Sequence, residues 1–237
     1  WEDERVRRLF PRGTGLVCLM SGPPGTGKTM AAEVVAAGVE LDLYRIDLAV
    51  TVNKYIDETA KNLKRLFGPA AGMNAVLLFD EADALFSRRT EVRDSHDRYA
   101  NADTNYLLQQ IEDYPGVALL ATNKRQNIDE AFVRRVRYLM FFPRPDAAQR
   151  LAIWRQVIAE LAGADRLEAL DDEIQKAAAG VEVSGAQIKN ATLPALFLAR
   201  QARRPVGVEE LRRGLDRELS NQGRGISLET AGKGARP

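Results

Sequence analysis

Four short apolar runs, Leu16–Met20, Leu43–Ile46, Val76–Phe79 and Val117–Leu120, recur along the chain with helical or polar stretches between them. Alternation of strand-sized runs with helix-forming segments predicts a parallel sheet covered by helices. After the first run, Thr29 to Leu41 is rich in Ala, Val and Glu and reads as a helix. A fifth run, Tyr138–Phe142, ends at Pro143-Arg144-Pro145, where prolines stop both strand pairing and helix propagation. A boundary is expected there. Beyond it the periodicity is helical: Asp146 can cap a helix to about Leu161, followed by Leu167–Ala179, Ser184–Ala202 and Val208–Leu219. The expected organisation is an α/β domain over residues 1–144, a small all-α domain over 145–222 and a frayed tail over 223–237. There is no internal repeat and no low-complexity segment.

Chemistry enters at the end of the first run. Met20-Ser21-Gly22-Pro23-Pro24-Gly25-Thr26-Gly27-Lys28-Thr29-Met30 satisfies the phosphate-loop pattern and sits between a predicted strand and a predicted helix. Glycines let successive N–H groups converge on phosphate oxygens, Lys28 can reach the β and γ phosphates, and the Thr29 hydroxyl can ligate magnesium. ATP and Mg2+ are therefore the expected cofactors, held by Pro24, Gly25, Thr26, Gly27, Lys28, Thr29 and Met30. The run Leu77-Leu78-Phe79 ends in Asp80-Glu81-Ala82-Asp83. Ligands of open α/β sheets lie at the carboxyl ends of strands, so Asp80 and Glu81 should face the same crevice as the loop. Asp80 would hold magnesium, directly or through water, and Glu81 would activate the water that attacks the γ phosphate. Asn123, at the end of the next run, can contact the γ phosphate or that water, although Thr-Asn after a strand is also plain turn chemistry. Cations are concentrated over Arg134-Arg135-Val136-Arg137, just before the fifth run; a solvated basic helix end is the simpler account of such a run.

Composition narrows the classes of partner. The chain has 237 residues, 45% of them hydrophobic, which suits one moderate α/β domain with an appendage. A formal net charge of +1 supplies no overall field to recruit nucleic acid or an anionic membrane. The longest apolar runs are far short of a bilayer span. No secretory leader is visible, and the single cysteine, Cys18, lies in a predicted buried strand. Neither a disulfide framework nor a cysteine metal site is available, so a reducing, cytoplasmic setting is expected. His96 is the only histidine and has no second His or Cys to complete a metal shell.

In order, the loop, the carboxylate strand, the Asn-tipped strand and the arginine cluster resemble the AAA family of ring-forming ATPases, where they are Walker A, Walker B, sensor 1 and the arginine-finger segment. The resemblance covers nearly the whole chain and implies a P-loop sheet sandwiched by helices followed by a helical lid. It implies that Arg134 and Arg137 project into the nucleotide site of a neighbouring subunit in a homo-oligomer, a hexameric ring, whereas Arg135 does not. Val183-Ser184-Gly185-Ala186-Gln187-Ile188 is similar to the lid motif that closes over base and ribose. Ala186 stands where other branches carry a sensor 2 arginine, which favours the protein-remodelling branch over clamp loaders and initiators. Lys189, one turn on, could substitute for that cation, but a solvent-facing lysine is the simpler reading. Asn53-Lys54-Tyr55-Ile56-Asp57 looks like the first pore loop of ring unfoldases, so Tyr55 and Ile56 would grip a protein substrate. Asp57, where glycine is usual, departs from that pattern, and a Tyr55 ring packed on a helix is the competing account. Ser87–Ala102, which includes His96, looks like the second pore-facing loop. More narrowly, 79–101 with 131–142 looks like the bacterial AAA proteins encoded with phage-tail-like contractile injection systems.

Only residues 1–21 precede Gly22, where the family has a longer segment against adenine, so an excised domain or a base pocket open on one side is expected. Two functions compete: a ring ATPase that remodels, disassembles or unfolds protein partners, and a nucleotide-dependent assembly module with slow or no turnover. Glu81, Asn123 and both arginines favour the first. An RNA helicase is suggested by Asp80-Glu81-Ala82-Asp83, but no second motor domain and no basic groove with aromatic platforms accompany it.

Overall fold

A computed structural model describes residues 15–47, 75–83, 106–124, 128, 133 and 136–221. These fall into two compact units that divide at Phe142/Pro143, except that Pro24–Thr26 group with the second. Tyr55, Ile56, Arg134, the segment Ser87–Ala102 and the tail 223–237 lie outside the described residues.

The first unit holds β1 (Leu16–Ser21), α1 (Lys28–Gly38), β2 (Asp42–Asp47), β3 (Ala75–Asp80), β4 (Val117–Thr122) and β5 (Tyr138–Phe141). A helical segment, 106–113, precedes β4. The strands form one sheet in the order β2-β3-β4-β1-β5, and every pairing is parallel. All five predicted strands are present.

The three central strands are apolar up to their last residues, Ser21, Asp80 and Thr122, because both faces are covered. Alternate residues separate into two cores. Val17, Leu19, Leu77, Phe79, Ala118 and Leu120 pack with Leu107 and Ile111 of the 106–113 segment. Cys18, Met20, Val76, Leu78, Leu119 and Ala121 pack with Ala32 and Ala36 of α1. Tyr114 closes the first core, its buried hydroxyl donating to the Ala75 carbonyl at 2.7 Å. At an edge, β5 pairs with β1, and its four side chains are exposed.

α1 stops before the predicted Leu41. Glu40 adopts φ 55, so Glu40 N donates to Ala37 O at 3.2 Å and Leu41 N to Ala36 O at 3.0 Å, the pattern of a left-handed helix stop. The apolar content that suggested a longer helix instead anchors the exit, with Leu41 packed on the α1 side of the sheet.

The second unit contains α2 (Ala147–Ala162), α3 (Ala164–Gly180), α4 (Gly185–Gln201) and α5 (Val208–Asn221). Two capping boxes start α2 and α4: Asp146 with Gln149, and Ser184 with Gln187, each side chain bonding the other's backbone. α3 begins at Ala164 rather than Leu167, because the Gly163 carbonyl already accepts from Arg166 N and Leu167 N, both at 3.2 Å. Trp154, Ile158, Ile174, Ile188, Leu211 and Leu215 lie in its core. Arg150 is buried there as well; Nε donates to Ala178 O and Nη1 to Pro145 O, both at 2.8 Å, so a cation meets the carbonyl end of α3. No helix among the described residues is long and apolar enough to cross a membrane.

Candidate nucleotide site

Because the sheet is wholly parallel, the carboxyl ends of its strands share one edge. Ser21 pairs with Thr122 and with Phe141 across that edge, and Asp47 with Asp80. The strand following β1 in sequence lies beyond β4 and β3, whereas β5 flanks β1 on its other side, so the chain reverses direction across the sheet beside β1. A ligand crevice is expected at such a reversal.

The loop leaving β1 is held close to the sheet. Gly22 N donates to Thr122 O at 3.2 Å, and a Cβ on Gly22 would sit 2.1 Å from the Phe142 carbonyl oxygen. Any side chain here would have to push the β5 exit away. Gly27 caps α1 at φ 98 with no side-chain cap, and no acidic residue stands in the first turn. A helix start of this kind presents backbone N–H groups and the positive end of the helix dipole to an anion. Within the second unit, Gly25 O accepts from Ala186 N at 3.2 Å.

Lys28, the first residue of α1, is only 7% exposed, and its ammonium donates to Gly22 O at 2.8 Å and Pro23 O at 2.9 Å. Burial lowers its pKa, while the carboxylates of Asp80 and Asp83 act in the opposite direction. A desolvated cation facing the loop carbonyls and two acids is suited to anionic phosphate oxygens. Thr29 follows on α1, half-buried, and Met30 is exposed.

At the tip of β3, Asp80 is engaged at both oxygens. Oδ2 accepts from Arg45 Nη2 at 2.5 Å and Oδ1 from Glu81 N at 3.0 Å. Glu81 is exposed and has φ 53, in the left-handed region uncommon for residues other than glycine. The next amide, Ala82 N, returns to Ala121 O at 2.9 Å. The buried Thr122 hydroxyl donates to Asp83 Oδ1 in a short bond and accepts from Lys124 N at 3.1 Å. Exposed Asn123 is held between those two anchored positions.

Among the described residues no cluster of three His, Cys, Asp or Glu could cage a metal. Mg2+ is usually held by one or two protein oxygens together with substrate phosphates. The Thr29 hydroxyl and the Asp80 carboxylate are of the right chemistry. Arg137 lies elsewhere: exposed, with its amide donating to Val17 O at 3.1 Å, it flanks the opposite edge of the sheet from Gly22. At about 3.3 Å per residue the intervening length of β1 is roughly 15 Å, longer than an arginine side chain. Gly185 and Ala186 begin α4, with Ala186 and Lys189 exposed.

Thr122, Asp83 and Arg45 were not singled out from the sequence. Thr122 and Asp83 had adjacent motif residues to point to them. Arg45 had a fainter signal, a lone charge within Leu43-Tyr44-Arg45-Ile46.

Comparison with known proteins agrees with this arrangement. The family model described as "ATPase family associated with various cellular activities (AAA)" matches residues 18–144. An uncharacterized AAA family ATPase, y4kL, of Sinorhizobium fredii is 35% identical over 147 residues, 62% of this chain and 44% of its own length. ATP-dependent zinc metalloprotease FtsH 3 of Sphaerobacter thermophilus is 31% identical over 234 residues, 94% of this chain and 46% of its own. The 26S proteasome regulatory subunit 10B of Dictyostelium discoideum is 29% identical over 213 residues, 87% and 52%. This chain thus spans about half the length of these relatives. In fold it is similar to the FIGL-1 AAA domain in complex with ADP, with a TM-score of 0.65 and 23% identity over 91% of this chain and 80% of that one. A five-stranded parallel sheet with a glycine loop after its first strand, a carboxylate-tipped third strand and a family match across both place this chain in the AAA family of ATPases.

Proposed function

We propose that this chain binds ATP with Mg2+ at the carboxyl edge of its sheet and hydrolyses it, in a ring oligomer that remodels protein partners. The observation that carries the reading is the position of Lys28, buried against the loop carbonyls and within electrostatic reach of Asp80 and Asp83. Loop amides and Lys28 bind and orient the phosphates. Glu81, exposed at a left-handed turn after the third strand, accepts a proton from the attacking water, and Asn123 orients that water. Thr29 and Asp80 would hold magnesium, which when bound would neutralise phosphate charge.

Arg137 stands about a strand's length from its own loop, which supports action on a neighbouring subunit rather than in cis. Arg134 is assigned the same role by its place in the sequence. A trans arginine implies a ring, and Tyr55 and Ile56 are the residues proposed to grip a protein within it. Gly185 and Ala186 are proposed to approach base and ribose. A reducing, cytoplasmic setting is proposed on the sequence's single cysteine, Cys18, which is buried and free.

Glu81→Gln tests the chemistry. It should retain ATP binding and lose most hydrolysis, because the amide keeps the shape but cannot take a proton. Phosphate release at the parental rate would overturn the assignment. Release measured over a range of protein concentrations tests the ring, since a trans arginine makes specific activity rise as subunits assemble.

A further inference from the structure

Arg45 is the single cation of β2, and its partner is the carboxylate assigned to the metal side of the site. Its side chain is 62% exposed and that of Asp80 18%. Strand register sets Arg45 beside Leu78 and Asp47 beside Asp80, so the guanidinium reaches along the strand to the carboxyl edge, where Nη2 lies 2.5 Å from Asp80 Oδ2. The other oxygen, Oδ1, accepts from Glu81 N. Neither oxygen of Asp80 is left without a donor.

A carboxylate oxygen already bonded to a guanidinium is a poor direct ligand for a divalent ion, because both cations would share one oxygen with no water between them. Each oxygen keeps a second lone pair, however, and can accept from a water bound to the ion. We propose that Arg45 is a positioning residue: it occupies Asp80 and keeps that carboxylate as a water-mediated partner of nucleotide-bound Mg2+, which lowers the metal affinity of the site. The arginine contributes no contact to the phosphates in this account. It sets the charge and the orientation of the group that faces the metal, and it orders the Asp80-Glu81 turn through the shared carboxylate. The proposal rests on the assignment of Asp80 given above.

The test is direct metal binding, read without turnover. Free Mn2+ is measured by electron paramagnetic resonance in the presence of a non-hydrolysable ATP analogue, for the parent chain and for Arg45→Gln, Arg45→Lys, Asp80→Asn and the double variant Arg45→Gln/Asp80→Asn. Loss of the competing charge in Arg45→Gln should tighten Mn2+ by about 3- to 10-fold, the range of a partly screened charge pair acting on a divalent ion. Arg45→Lys, which restores the charge, should stay close to the parent. Asp80→Asn should weaken Mn2+, and on that background Arg45→Gln should have no further effect. If Asp80→Asn weakens the ion while Arg45→Gln leaves affinity unchanged or lowers it, the role given to Arg45 is wrong and that of Asp80 stands. If Asp80→Asn leaves Mn2+ binding unchanged, the assignment of Asp80 fails and the proposal with it.

Discussion

Thr122→Val is the substitution that most cleanly joins the fold to the site. The side chain is 1% exposed, and its hydroxyl serves two partners, donating to Asp83 Oδ1 and accepting from Lys124 N at 3.1 Å. Valine fills nearly the same volume, so no cavity term enters and the loss is that of the hydrogen bonds. A bond to a charged group is worth about 1.5–3 kcal/mol, and the part-buried bond from the Lys124 amide adds about 0.5 kcal/mol, which gives roughly 2–3.5 kcal/mol. For a chain of this length each kcal/mol lowers Tm by about 2–4 °C, so a fall of about 4–14 °C is expected. Thr122→Ser keeps both bonds and loses one buried methyl, so it should cost about 0.5–1.5 kcal/mol of stability. Asn123 sits between the two anchored positions, so kcat should fall with Thr122→Val while nucleotide affinity, which depends on the loop and Lys28, changes little. The assays are thermal melting of both variants and phosphate release at saturating ATP. A valine variant that melts within 1 °C of the parent would refute the bonding argument, and a normal kcat in a destabilised variant would refute the link to Asn123.

Gly22→Ala should weaken both fold and nucleotide binding, because its Cβ would meet the Phe142 carbonyl oxygen at 2.1 Å; equal melting and equal ATP affinity would show that the β5 exit yields freely. Cys18 should resist alkylation at pH 8–9 in the native chain and react rapidly in urea, since burial pushes its thiol up to about 11 and only the thiolate attacks. Arg137→Ala should cut turnover by about 10³-fold or more with little change in the affinity of the isolated subunit. Mixed with Glu81→Gln subunits, whose arginines are intact, it should regain hydrolysis; no recovery in mixed rings would point to a role in cis or in packing alone. Tyr55→Ala should keep basal hydrolysis within a few-fold of normal and lose protein remodelling, and a large fall in Tm with both activities lost together would return Tyr55 to a packing role.

Much of the scaffold was legible because local signals and tertiary demands agreed. The strands were visible as unbroken apolar runs, a pattern that arises when both faces of a parallel sheet are buried, as those of β1, β3 and β4 are. Asp146 and Ser184 were readable as helix starts because a cap and its reciprocal partner lie three residues apart in sequence. Departures from the reading fell where backbone conformation overruled composition. α1 ends at Gly38 because Glu40 turns left-handed, and α3 starts early because Gly163 serves two helices.

By itself the sequence determined the glycine loop after the first strand, the carboxylate and asparagine strand tips, and the order of elements that identifies the family, since each is carried by neighbours along the chain. What the tertiary structure alone decided is which side chains meet across strands. Arg45 and Asp80 are far apart in sequence and are brought together by the register of β2 on β3, as Asp83 and Thr122 are by the pairing of β3 with β4. The depth of Lys28 and the placing of Arg137 at the far edge from its own loop likewise follow from the sheet. Periodicity along a chain specifies which face of a strand is buried, but not which charge lies opposite which, because that depends on strand order and register, and these emerge only when the sheet assembles.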